Sequence, residues 1–237
     1  MALFSGEGWL FFLRWFHFLA GITWIGMLYY FNFVQTPFFA SADPNVRTGM
    51  IAGGLVGRAL WWFRWGAMLT FITGWLIILH KIGQFGGLGP FFSQSYGLSI
   101  FIGGMLGSLM WFNVWFVIWP AQQVVIRSAE QVAGGGQAIP EAAARGQRAG
   151  LASRTNTLFS IPMLFFMGAA SHFAFTGTGG VGLYWVLALL VMAAVEANAL
   201  LGPGLATQKP LATVSGTIHA GLGLTLVLFL AHAFLTR

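Results

Sequence analysis

All five histidines in this chain lie within long apolar segments, and four of them share one end, where imidazoles could do chemistry together. The topology that the loop charges predict places His17, His80, His172 and His232 toward the outer end of those segments, and His219 toward the opposite end. Ionisable groups inside a bilayer are costly, so several of them at one depth indicate a functional site. Neutral imidazole is the usual protein ligand of b-type haem and a common ligand of copper or iron. These histidines are therefore candidate ligands.

The composition is that of a membrane protein. The chain has 237 residues, of which 57% are hydrophobic and 7% charged. It contains no cysteine, which excludes a disulfide framework, covalent c-type haem attachment and thiolate metal sites. Any haem must then be non-covalent, and any metal must be held by His, Met or carboxylate. The net charge of +6 comes from basic residues scattered over loops, which predicts topology and no nucleic-acid binding.

The apolar segments predict an all-α fold, a polytopic helical bundle in a single domain over residues 1–237. A helix needs about 20 residues to cross the roughly 30 Å of hydrocarbon in a bilayer. Six segments have about that length. They are Trp9–Val34, Leu60–Ile82, Tyr96–Trp119, Leu158–Phe175, Val181–Leu201 and Thr213–Leu235.

The distribution of loop charge predicts the orientation. Loops 83–95 and 176–180 carry no charge, whereas the other loops are basic. The basic residues of those other loops are Arg47, Arg58, Arg127, Arg145, Arg148, Arg154 and Lys209. The positive-inside rule then places the basic loops in the cytoplasm and both termini outside. The longest cytoplasmic loop is expected at about residues 120–153.

The depth of the histidines is compatible with one haem held between two helices. His17 lies about 8 residues into the first span, or roughly 12 Å at 1.5 Å per residue. His172 and His232 lie about one turn from the outer ends of their spans, and His80 is close to such an end. Arg14, one turn before His17, either pairs with a haem propionate or extends to the lipid headgroups. A single intramembrane histidine is also often only a hydrogen-bonded core residue.

A second polar group is expected toward the inner side, from Arg64, Glu196 and His219. Arg64 and Glu196 lie at matching depths in their spans, so an ion pair between them would neutralise both. Such a pair would lock two helices together, or form part of a proton or anion path. A transporter built on these residues is an alternative, although the spans lack clear inverted repeats.

Spans 1 and 3 share a short internal pattern. Gly26–Asn32 and Gly107–Asn113 both read G-x-x-x-x-F-N, and each is followed by a proline, Pro37 and Pro120. Two interpretations remain open. The pattern reflects an ancient duplication, or Asn and Pro simply mark two helix ends near a wet interface.

Four blocks of sequence resemble the N-terminal membrane domain of the bacterial urate hydroxylases. The blocks combine Trp, Asn, Pro and His at set spacings and follow the order of the family. They are RWFHFLAGITWIGMLYYFNF at Arg14–Phe33, WWFRWGAMLTFITG at Trp61–Gly74, GGMLGSLMWFNVWFVIWPAQQ at Gly103–Gln123 and RTNTLFSIPMLFFMGAASHF at Arg154–Phe173. The resemblance covers spans 1 to 4 and fades over spans 5 and 6.

The resemblance implies a bacterial inner-membrane domain, often fused to a periplasmic c-type cytochrome, that takes part in the oxidation of urate to 5-hydroxyisourate. His17 and His172 match histidines of the family pattern, which makes them the expected haem or metal ligands. The chain ends at Arg237, and we expect no cytochrome domain in it. It departs from the family at Gly66, where an acidic residue is common, and near Phe101, where a histidine is common.

The resulting hypothesis is a membrane-bound haem b protein, with termini on the periplasmic side, that passes electrons toward a periplasmic cytochrome c. Its expected partners are the lipid bilayer and a c-type cytochrome or subunits of a respiratory complex. It would be an oxidoreductase related to urate hydroxylase, or an electron-transfer subunit. Two alternatives stay open. One is a non-catalytic membrane subunit, and the other is a copper or iron site made by His17, His172 and either His80 or His232.

Overall fold

The first membrane-length helix is continuous over 36 residues. The computed structural model describes residues 4–175 and 179–236. In it, α1 (Gly6–Tyr29) continues through a π-helical turn (Tyr30–Gln35) into α2 (Thr36–Ser41). The Ser5 hydroxyl caps α1 by accepting a hydrogen bond from the Gly8 amide at 3.2 Å, which satisfies one of the free N–H groups of the first turn.

The remaining elements are also helical. They are α3 (Pro44–Ala52), α4 (Leu55–Gln84), α5 (Leu88–Phe92), α6 (Ser95–Phe112), a second π-helical turn (Asn113–Ile118), α7 (Trp119–Ala133), α8 (Ala142–His172), α9 (Val181–Leu200), a 3₁₀ segment (Ala206–Ala212) and α10 (Val214–Leu235). No strand occurs in residues 4–175 or 179–236. The predicted all-α fold is confirmed.

The long helices alternate in direction between two ends of the bundle. At one end, the Phe175 amide donates to the Ser95 hydroxyl at 2.7 Å, and the Gly179 amide to the Thr236 carbonyl at 3.2 Å. We call this end, which holds the start of α1 and the end of α10, the terminal face. At the other end, Asn32 donates to the Ser153 hydroxyl at 2.8 Å. This end carries the basic loops and is called the basic face.

Five helical segments are long and apolar enough to cross a membrane. The fourth predicted span, most of which lies in α8, is not one of them. It nevertheless runs from the basic face, where Ser153 contacts Asn32, to the terminal face at His172. Its hydropathy is lower because its inward side is polar. Four fully buried polar residues lie there: Thr155, Asn156, Thr157 and Ser160.

The outer surface of the bundle is apolar, as contact with lipid requires. Ile22 on α1 is 72% exposed and Leu190 on α9 is 61% exposed. Exposed tryptophans also occur near the ends of the helices, at Trp9 and at Trp61 and Trp62, where they suit the membrane interfaces. A surface of this kind favours a bilayer over water, because exposing so many apolar side chains to water is unfavourable. The protein is a multi-pass membrane protein.

The two Asn–Pro patterns do not end helices. Each lies at a π-helical turn, and the chain continues as a helix beyond Pro37 and beyond Pro120. Proline has no N–H and its ring displaces the carbonyl one turn earlier, which explains why the hydrogen-bond pattern widens just before each proline. Asn32 and Asn113 are buried rather than wet, so the interpretation of these residues as markers of a wet interface was wrong.

The predicted cytoplasmic loop at residues 120–153 is mostly helix. α7 extends to Ala133 and α8 begins at Ala142, so only residues 134–141 connect them. Ser128 on α7 holds this connection by accepting a hydrogen bond from the Ile139 amide at 3.0 Å. Of the uncharged loop predicted at 176–180, residues 176–178 lie outside the described residues.

Close packing of α10 against α8 depends on a single glycine. A Cβ added at Gly221 would lie 2.9 Å from the Leu158 carbonyl, whereas one at Gly223 meets open space. We expect Gly221→Ala to lower the free energy of unfolding by about 1–3 kcal/mol, the usual cost of overpacking. Gly223→Ala on the same helix is the matched control. Thermal unfolding in detergent measures both, and equal melting temperatures would show that this contact does not limit helix packing.

Candidate functional site

A cavity of about 810 Å³ lies between α1, α4, α6 and α8. It extends from the terminal face, at Arg14 and Tyr96, toward the middle of the bundle, at Gly26 and Met163. Its volume is within the range of small-molecule and cofactor sites, about 300–1,000 Å³. His17 and His172, the two histidines carried over from the family resemblance, both line it.

His17 is held in one orientation by a threonine of α4. The Thr73 hydroxyl donates to the Leu69 carbonyl at 2.6 Å, so its oxygen accepts the hydrogen bond from His17 Nδ1 at 3.1 Å. The proton of the neutral ring is then on Nδ1, and Nε2 keeps its lone pair. The backbone of Thr70, on the same helix as Thr73, also makes a hydrogen-bond contact with this ring. This is the arrangement that orients metal-ligating histidines in proteins.

The mouth of the cavity combines a cation with an imidazole. Arg14 lies one turn before His17 on α1 and beside the Tyr96 hydroxyl of α6. His172, the last residue of α8, is exposed there. A ligand in the cavity would therefore meet a positive charge near the terminal face and apolar walls deeper in the bundle.

Glycines, which have no side chain, shape the interior of the cavity. Six glycines line the cavity: Gly21, Gly26, Gly74, Gly104, Gly107 and Gly168. A Cβ at Gly74 would lie 3.0 Å from His17 Cε1, so this glycine gives the imidazole its place. The indole N–H of Trp24, another lining residue, is buried and has no acceptor. The cavity thus has space beside its glycines, an imidazole and a spare N–H donor, and a flat, largely apolar group such as haem would fit these features.

His80 and His232 do not line this cavity. His80 packs near Gly6 at the start of α1, and its Nε2 is buried without a partner. His232 stacks on Phe175 at 3.8 Å and contacts the Tyr184 ring at 4.8 Å. Within residues 4–175 and 179–236, no three His, Asp or Glu side chains are grouped to hold a metal. The structure therefore does not bring a third histidine to His17 and His172.

The predicted cluster of Arg64, Glu196 and His219 does not form. The Arg64 guanidinium lies over the Trp119 ring, 3.3 Å from its centroid, and Arg64 Nε donates to the Leu60 carbonyl. His219 is exposed, and its Nδ1 lies 2.7 Å from the Ser215 carbonyl on its own helix. The pair was predicted from matching depth, but Arg64 faces α7 while Glu196 on α9 faces the bundle interior.

Glu196 instead belongs to a buried amide network. Asn113 Nδ2 donates to Glu196 Oε2 at 3.0 Å and to Asn156 Oδ1 at 2.9 Å. Asn156 Nδ2 donates to the Met110 carbonyl at 2.9 Å. The network joins α9, α8 and the second π-helical turn. Glu196 Oε1 and Asn113 Oδ1 remain without partners. Since a bare carboxylate is costly at this depth, we expect Glu196 to be protonated.

Protonation of Glu196 can be tested through the thermal stability of two variants. Glu196→Gln retains an acceptor for Asn113, so its melting temperature should stay close to that of the wild type. Asn156→Leu removes the bonds to Met110 and Asn113, and should cost about 1–3 kcal/mol of unfolding free energy. Thermal unfolding of both variants measures this. A glutamine variant that melts as low as the leucine variant would mean that the network requires the ionised carboxylate.

The two departures from the family pattern lie at packing positions. A Cβ at Gly66 would lie 3.1 Å from the Trp24 amide nitrogen, so α1 and α4 approach too closely here for an acidic side chain. Phe101 contacts the rings of Trp185 and Phe92 at 5.2 and 5.1 Å. Neither residue lines the cavity.

Comparison with known proteins identifies the family. The family model described as urate oxidase N-terminal matches residues 90–220, which is more than half of the chain. No curated protein and no solved structure matches. The matched region includes His172 but not His17, and it reaches α9 and the start of α10, beyond the four blocks that carry the resemblance. On the strength of this match, the chain belongs to the urate oxidase N-terminal family of membrane domains.

Proposed function

We propose that this protein binds one b-type haem in the cavity between α1 and α8, where His17 and His172 would hold its iron. The observation that carries the proposal is the bond from His17 Nδ1 to Thr73, which orients the His17 ring in a cavity that His172 also lines. The alternative of a copper or iron site has less support, since the described residues bring no third His, Asp or Glu side chain to this pair.

The residues of the chain have distinct roles in this proposal. Thr73 fixes the tautomer and orientation of His17. Arg14 at the mouth supplies positive charge for the propionate groups. Apolar walls such as Phe71 and Ile78 exclude water, which tunes the reduction potential of a bound redox centre. When bound, haem supplies a one-electron carrier.

We further propose that the protein passes electrons from urate oxidation to a c-type cytochrome. Conversion of urate and water to 5-hydroxyisourate releases two electrons and two protons, and a cytochrome accepts electrons one at a time. The mouth of the cavity is at the terminal face, so the cytochrome would dock there. The positive-inside rule makes that face periplasmic, which is where c-type cytochromes are assembled.

The test is urate-dependent reduction of cytochrome c. Detergent-purified protein is mixed anaerobically with urate and ferricytochrome c, and ferrocytochrome c is followed by its absorbance. We expect reduction that needs both urate and the protein, with two equivalents of ferrocytochrome c per urate consumed. Haem-loaded protein that gives no reduction above the protein-free rate would contradict the coupling to urate.

A further inference from the structure

A second cavity, of about 660 Å³, lies at the basic face. It is lined by both π-helical turns, the start of α4, α7, α8 and the 3₁₀ segment Ala206–Ala212. None of its lining residues lines the first cavity. It is a separate site, so a ligand there does not depend on whether the protein binds haem.

This basic-face cavity has positive charge and no opposing negative charge. Arg154 and Lys209 both line it, and none of the chain's five acidic residues does. Arg154 is half-buried, and its Nη1 donates to the Leu211 carbonyl at 2.8 Å. That bond anchors the guanidinium without neutralising it. Four of its five N–H donors remain for a planar anion.

The cavity also carries uncharged hydrogen-bonding groups. Gln35, in the π-helical turn, has a buried Oε1 without a partner, which calls for a donor on a ligand. The Ser153 hydroxyl accepts from Asn32 at 2.8 Å and keeps its own proton available. π-Helical turns often occur at functional sites, and this one brings Asn32 and Gln35 to the same cavity.

The remaining walls are apolar and partly aromatic. Phe31 and Phe63 meet edge to face at 5.5 Å, and both line the cavity together with Leu60. A bare inorganic anion would leave these walls without contacts. A ligand that matches all the walls has an anionic edge, an N–H or O–H donor and a flat or apolar body.

We infer that the basic-face cavity binds a compact organic anion that also carries a hydrogen-bond donor. Arg154 is the principal anion contact, Lys209 adds charge at the rim, and Gln35 Oε1 accepts from the donor of the ligand. The phenyl rings of Phe31 and Phe63 contact its body.

Calorimetric titration of the detergent-purified full chain tests this inference. The probes are urate and orotate, planar anions with ring N–H donors, and hypoxanthine, a planar heterocycle that is neutral at pH 7. We expect saturable binding of at least one of the anions and at least tenfold weaker binding of hypoxanthine. Arg154→Gln should lower the affinity for the anion roughly ten- to a hundredfold, the range for loss of a charged hydrogen bond.

Two further variants separate the site from general charge effects. Lys209 is exposed, so Lys209→Gln is expected to fold even if Arg154→Gln proves unstable. It should also lower the affinity for the anion. Arg148→Gln lies on the same helix as Arg154 but outside the cavity, and should leave binding unchanged. Equal affinity for anions and hypoxanthine, or equal loss in Arg148→Gln, would overturn the inference. A third result would also overturn it: urate and orotate do not bind, and phosphatidylglycerol in nanodiscs stabilises the wild type more than Arg154→Gln. Arg154 would then bind a lipid phosphate.

Discussion

His17→Ala is expected to abolish the haem absorbance of the purified protein. The substitution removes the one cavity-lining imidazole whose Nε2 is pre-oriented by a second residue. A b-type haem has no covalent link to the chain, so loss of an axial ligand lets it dissociate in detergent. His172→Ala should have a similar effect, since it removes the other imidazole at the cavity.

The control for this experiment is His219→Ala. His219 is exposed on α10 and bonds only within its own helix, so its removal should leave the Soret band unchanged. Absorbance is normalised to protein concentration, and circular dichroism checks that each variant remains helical. If the alanine variants at His17 and His172 both keep a full Soret band, the ligand assignment is wrong.

Thr73→Val has the second largest expected effect. Valine has nearly the shape of threonine but cannot accept the hydrogen bond from His17 Nδ1. The imidazole is then free to rotate and to shift its proton to Nε2. Loss of such a supporting residue typically costs 10- to 100-fold in metal affinity. We expect haem affinity to fall by about that factor, as measured by transfer of haem to apomyoglobin.

Thr70→Val is the matched control. Thr70 lies one turn earlier on α4 and lines the cavity beside His17. Its hydroxyl bonds the Gly66 carbonyl in the same i−4 manner, and its contact with the His17 ring is through the backbone, which valine keeps. If both threonine variants lose haem equally, the cavity needs polarity in general and the orientation of His17 is not the reason.

The fold follows closely from the length and spacing of the apolar segments. Five of the predicted spans correspond to helices long and apolar enough to cross a membrane. The exception, α8, carries Asn156 and Thr157 on a face that other helices cover, and hydropathy cannot distinguish a polar residue buried in protein from one exposed to lipid. The prolines at 37 and 120 predicted an interruption, but whether a helix ends or widens there depends on the helices packed beside it.

The candidate site was only partly predictable. Position in apolar segments identified four histidines, and the family resemblance selected His17 and His172 among them. The structure places both at one cavity. Nothing in the sequence links His17 to Thr73, which is 56 residues away, because that contact depends on how α1 and α4 pack. Matching depth similarly suggested Arg64 and Glu196, but depth does not specify the rotation of a helix, and Arg64 faces Trp119 instead. Gln35 and Asn156 gave no signal beyond their polarity.

The most direct measurement of the central claim is a dithionite-reduced minus oxidised absorbance spectrum of the detergent-purified protein, with metal analysis of the same sample. The proposal predicts a sharp α-band at the position usual for b-type haem and about one iron per chain. A protein with bound copper or iron but no porphyrin band would contradict haem binding in favour of a simple metal site. A colourless, metal-free protein would contradict both, and would leave a non-catalytic membrane subunit.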